Sequence, residues 1–149
     1  MLYLTLKLIH ILLAITAVGA NLTYGVWYYR ANKYPEFAPI ALRGIKLIDD
    51  RIANPAYGLL LPVGALMVWV GHLGFGTRWI SWAMGLWVLL VLAGVLGFTP
   101  ALKRQIAEVD RSGAASPQSQ ALAGRANVWA AVLGVIVFAI LVLMVFKPT

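Results

Sequence analysis

Between Leu2 and Tyr29 the chain carries one full charge, Lys7. A run so long and so apolar fits the hydrocarbon of a bilayer, which about 20 apolar residues cross as one helix. Its polar and small residues are ordered: Tyr3, Lys7, His10, Ala14, Ala17, Asn21, Tyr24 and Tyr28 follow one another at steps of four and three. Such steps put them on one stripe of a helix, with Leu, Ile and Val on the other faces. Hydrocarbon offers no hydrogen bonds, so a polar stripe needs protein to face.

Three further apolar runs can supply that protein. The hydropathy pattern predicts spans over 2–29, 54–72, 78–98 and 121–146, in one integral membrane domain covering 1–149. The fold class expected is all-α, a four-transmembrane-helix bundle running up-down-up-down. In the second span Asn54, Gly58, Leu61, Ala65, Val68 and His72 share a stripe, and Pro62 predicts a kink. The third aligns Ala83, Trp87, Leu90, Gly94 and Gly97, and the fourth Asn127, Ala131, Gly134, Phe138 and Leu141. The glycine-rich Gly71–Thr77 has no following phosphate-loop lysine and reads as a turn.

Two amphipathic segments lie in loops 1 and 3. Over Ile40–Ile52, Ala41, Ile45, Ile48 and Ile52 oppose Arg43, Lys46 and Asp50. Over Ala101–Arg111, Leu102, Ile106 and Val109 form the apolar side, and Thr99-Pro100 looks like a helix cap. Both segments are expected to lie flat on the membrane surface. Lys46–Asp50 and Arg104–Glu108 are spaced to pair within a helix. Ser112–Gln120 reads as a flexible polar linker.

The net charge of +7 would suit nucleic acid in another chain. Here the basic residues fall in loops between apolar runs, and only 11% of residues are charged. The first loop holds Arg30, Lys33, Arg43, Lys46 and Arg51; the third holds Lys103, Arg104, Arg111 and Arg125. The opposite side has Lys7, Arg78 and Lys147. By the positive-inside rule both long loops are cytoplasmic and both termini lie outside. Ala17-Val18-Gly19-Ala20 imitates a signal-cleavage site, but the cations follow the apolar run instead of preceding it, so the helix is expected to be retained.

Cysteine is absent. Its absence excludes disulfides, thiolate metal sites, iron–sulfur clusters and covalently attached haem. The five acidic residues all fall in loop segments, which argues against a proton-coupled transporter, a cation channel or a carboxylate metal site. No Ser-His-Asp set or histidine-pair metal motif is visible, so no catalytic residue can be named; the reading leans to a non-enzymatic protein and leaves a redox-active one open.

Two groups could carry function. His10 and His72 are both placed in the outer leaflet half. Histidines on facing helices can ligate haem iron through neutral nitrogens, and Lys7 at the mouth could pair with a propionate. The competing reading makes His10 an interhelical hydrogen-bonding residue and His72 an interfacial one. On the cytoplasmic side Asn21, Tyr24, Tyr28, Arg51, Asn54 and Asn127 form a polar group, read as a lock between helices.

Leu6-Lys7-Leu8-Ile9-His10, the basic loop after Tyr29 and the closing Leu143-Met144-Val145-Phe146-Lys147-Pro148 resemble an uncharacterised bacterial family of predicted integral membrane proteins, domain of unknown function 2269. The resemblance implies a multi-pass protein of the bacterial inner membrane. The Lys-x-x-His start is also similar to the CopD copper-resistance and HemJ protoporphyrinogen-oxidase membrane proteins. That similarity implies a haem, porphyrin or copper role at Lys7 and His10. The lack of cysteine and the few methionines, Met67, Met84 and Met144 beyond Met1, weigh against copper. Two functions follow as expectations: an accessory subunit that binds membrane partners, lipids or its own copies, or a tetrapyrrole-binding, redox-active protein.

Overall fold

A computed structural model describes residues 1–148. Among them the regular structure is all helical, with four helical runs long and apolar enough to cross a membrane. The all-α, four-helix expectation holds. Helix α1 covers Leu2–Lys33. The second run, Pro35–Val70, joins α2 (Ala38–Ile48) to α3 (Asn54–Val70). The third, Arg78–Ser112, joins α4 (Arg78–Ala93) to α5 (Thr99–Ser112), and α6 is Pro117–Phe146. Helix α1 packs along α3, and α4 along α6; α2 packs on α1, and α5 on α6 and α2.

The amphipathic segments are therefore not separate surface helices. Each continues into a span through one π-helical turn, Asp49–Ala53 or Gly94–Phe98. The cause is local: Pro55 and Pro100 follow just after. A proline has no N–H and its ring crowds the carbonyl four residues back, so the helix widens instead of stopping. The Asn54 N–H reaches the Asp49 carbonyl and the Thr99 N–H the Gly94 carbonyl, each one residue further than in an α-helix. Thr99 is thus inside a helix and caps nothing.

The linker is also ordered. Pro117 is the first residue of α6, and the Ser116 hydroxyl accepts from the Ser119 N–H at 3.1 Å. Ser119 is buried and donates to the Gly113 carbonyl at 2.8 Å. Its serines are cap and turn residues, the role short hydroxyl side chains take beside a helix start.

The best-buried core lies at the basic end of the bundle. Leu42, Ile45 and Leu102 are 0% exposed and Phe98 2%, packed with Tyr24, Tyr28, Ala38, Val109 and Ala126. Nearer mid-span a smaller cluster joins Leu90, Ala93, Ile136 and Val137. Pro35–Val70 has 36 residues, about 54 Å at 1.5 Å each, against roughly 30 Å of hydrocarbon. Where helices extend into water their apolar faces must be covered. Within lipid Leu22, Leu96 and Val135 stay exposed at no cost.

Candidate functional site

The first helix presents its stripe inward. Ala17, Ala20, Tyr24 and Tyr28 are buried and His10, Ala14 and Asn21 half-buried, while Lys7 is exposed. The small residues let α3 approach, and the polar ones meet α3 and the wide turn before it.

The polar meeting point centres on Asp49, 6% exposed. One carboxylate oxygen accepts from the Tyr24 hydroxyl at 3.3 Å and the other from Asn54 Nδ2 at 3.2 Å. One turn into α3, the Tyr57 hydroxyl accepts from Asn21 Nδ2. Trp87 Nε1 then donates to the Tyr57 carbonyl at 3.2 Å, which brings α4 to the same place. The Tyr28 hydroxyl is buried with no hydrogen-bond partner among the described residues. Asp49 is held by neutral donors, because the neighbouring Lys46 pairs with Asp50.

Sequence reasoning missed Asp49 and Tyr57. An α-helical count along this segment puts Ile48 and Ile52 inward. Ile48 does pack on the core, with Asp49 beside it four residues after buried Ile45; the π-helical turn then holds an extra residue, so the next inward position is Ala53 and Ile52 is left 45% exposed. Proline two residues after Ala53 was the available signal. Asp49 thus sits in a loop segment by hydropathy yet is bonded to a tyrosine of the first span, so a carboxylate does reach the spanning helices.

Two expected members of the group are elsewhere. Arg51 and Asn127 are both exposed and bond to none of its side chains. Asn127 faces away from the bundle because the packed face of α6 is Ala126, Leu133, Ile136 and Val137, one position off the predicted line. The predicted stripe of the second span is offset at its start, where Asn54 and Gly58 are exposed and Ala53 and Ala56 buried, while further along Val68 is buried as expected.

The structure does not bring the two histidines together. His10 lies against Gly64, where an added Cβ would stand 3.2 Å from the imidazole Cε1. His72 is exposed, in the turn after α3, in the left-handed region at φ 52°. Tyr3, not His10, shares its level, packed on Gly71. Gly64 and His72 are eight positions apart, about 12 Å at 1.5 Å per residue. The Nδ1 of His10 is buried without a well-formed hydrogen bond, and Leu60 backbone is within reach of the ring. Direct packing on Gly64 leaves no room on that side for a macrocycle, and the pair does not fit a haem held from both faces. Among the described residues no three His, Cys, Asp or Glu gather as metal ligands.

Nearer the water the expected Lys46–Asp50 pair forms. Glu108 is buried and pairs with Arg111 at 3.3 Å, in place of the expected Arg104. Arg43 and Asp110 tie α2 to α5 at 2.8 Å. Gln105 is also buried on α5, where the sequence suggested only Leu102, Ile106 and Val109.

No curated protein matches the chain, and no solved structure does. The similarity to the copper-resistance and protoporphyrinogen-oxidase proteins is therefore not among the findings. One family model matches residues 4–148, nearly the whole chain, and the protein belongs to that family of predicted integral membrane proteins (DUF2269).

Proposed function

We propose that the protein is a non-enzymatic accessory subunit of the bacterial inner membrane, which works by binding another membrane helix. The observation that carries this is the outer face of α6. Gly124, Asn127, Ala131 and Gly134 are all exposed, at steps of three and four. A Cβ added at Gly124 or Gly134 would meet nothing within 4 Å. Small residues in line let a second backbone come close, and an outward amide offers it a hydrogen bond. The buried polar group around Asp49 then serves as the lock that keeps this chain's own helices in register. The partner is a second copy of the chain or another membrane protein. The long loops face the cytoplasm and both termini the periplasm, in keeping with the basic residues at one end of the bundle.

The test uses the absence of cysteine. Ala131→Cys and Gly134→Cys, each labelled in native membranes with a photoactivatable thiol reagent and illuminated, should give adducts with a second protein chain. Leu22→Cys, on the lipid-exposed side of α1, should give none. Absence of any adduct from α6 would sink the reading. The alternative, a tetrapyrrole site at His10 and His72 with Lys7 nearby, has less support, because the imidazoles stand apart and His10 is packed on Gly64.

A further inference from the structure

The expected partner of Arg104, Glu108, is taken by Arg111. Among the described residues Arg104 forms no ion pair, and neither does Arg125. Both line one cleft of about 170 Å³ between α5 and α6, with Leu96, Pro100, Leu122 and Trp129. A second cleft shares Arg104 and Leu122 and continues along α5 past Glu108 and Arg111. The groove thus holds three guanidiniums against one carboxylate. Its two ends differ. Leu96 is 72% exposed on the apolar side, and Trp129 lies one turn deeper in the span than Arg125. Cations above and an aromatic and aliphatic floor below match the order of parts in a phospholipid, phosphate first and acyl chain after.

We propose that this groove binds the headgroup phosphate of an anionic phospholipid, through Arg104 and Arg125, with the start of an acyl chain on Trp129 and Leu96. Guanidinium forks suit phosphate oxygens, which accept two parallel hydrogen bonds. The proposal is independent of the association face, because the groove lies on α5 and α6 toward the basic end and does not use Asn127, Ala131 or Gly134.

Native mass spectrometry of the full chain in detergent tests it, with phosphatidylglycerol and phosphatidylcholine offered in equal amounts. Phosphatidylglycerol should be retained preferentially. The Arg104→Gln/Arg125→Gln variant should reduce that preference by about 25-fold, at about fivefold per basic residue near a membrane surface. Lys103→Gln, an exposed cation outside the groove, should keep the preference. Should the double variant fold poorly, Arg125→Gln alone should lose about fivefold, and Arg125→Lys, which keeps the charge but not the fork, should lose less than that. Equal retention of the two lipids, or a preference that survives the double substitution, would overturn the assignment. Inorganic phosphate competing as well as phosphatidylglycerol would overturn it in favour of a free anion.

Discussion

The Tyr24 hydroxyl donates to the Asp49 carboxylate across 3.3 Å, joining the first membrane helix to the wide turn where the second long helix changes register. Tyr24 also stacks on Phe98, in the other π-helical turn, with ring centroids 6.0 Å apart. One tyrosine therefore touches both π-helical turns.

Removing the carboxylate should be costly. Asp49→Leu leaves a buried tyrosine hydroxyl without its acceptor, at about 1–3 kcal/mol. Asp49→Asn keeps one acceptor oxygen and should lose less. Thermal unfolding in detergent measures both, and a Leu variant that melts with the parent protein would remove the cluster from the account of stability.

Gly97 should tolerate no side chain. A Cβ there would stand 2.4 Å from carbons of the Trp129 ring. Gly97→Ala is expected to destabilise by about 1–3 kcal/mol, the usual range for overpacking. Trp129→Leu should relieve part of that loss, so the two changes should couple in a double-mutant cycle by more than about 0.5 kcal/mol. Additive effects would mean that the tryptophan simply swings into lipid.

The number and order of the helices were legible because apolar runs of spanning length leave few alternatives. The inward stripe of α1 was legible for the same reason: 26 residues of unbroken α-helix keep one period from Tyr3 to Tyr28. The period fails beyond the π-helical turn. One extra residue there turns Ile52 out and Ala53 in, while Asp49, which opens the turn four residues after buried Ile45, puts a loop carboxylate at the centre of the polar group. On α6 the difficulty was different. The sequence pattern suggests that its polar and small residues face inward, but in this bundle they face out, while Ile136 and Val137 pack on Leu90 and Ala93. Polarity marks a face as special without saying whether its partner is within the chain or beyond it.

Ala17 tests the inward stripe directly. It is 0% exposed, so Ala17→Leu adds volume where none exists. A loss of about 1–3 kcal/mol is expected. Leu12 is 54% exposed, and Leu12→Ile should change the melting temperature by little. Equal effects at the two positions would place the packed face of α1 elsewhere.

Orientation can be read with reporter fusions. Basic residues collect at the end of the bundle where α1 stops and α6 begins, the end expected to stay in the cytoplasm. Fusions after residues 34 and 114 should report the cytoplasm, and a fusion at the C-terminus the periplasm. A cytoplasmic C-terminus would invert the whole bundle.

His10 separates the packing reading from the cofactor reading. Its ring meets Gly64, where an added Cβ would be 3.2 Å from Cε1, whereas Gly58 in the same helix has nothing within 4 Å. Alanine for glycine in a helix stabilises by about 0.5–1 kcal/mol when space is free. Gly58→Ala should show that gain and Gly64→Ala should not, because the imidazole must move. His10→Gln should fold normally, since glutamine can both donate and accept a hydrogen bond. Protein purified from haem-replete cells should then be colourless with either residue at position 10. A Soret band in the parent protein that disappears in His10→Gln would make His10 a ligand and overturn the packing account.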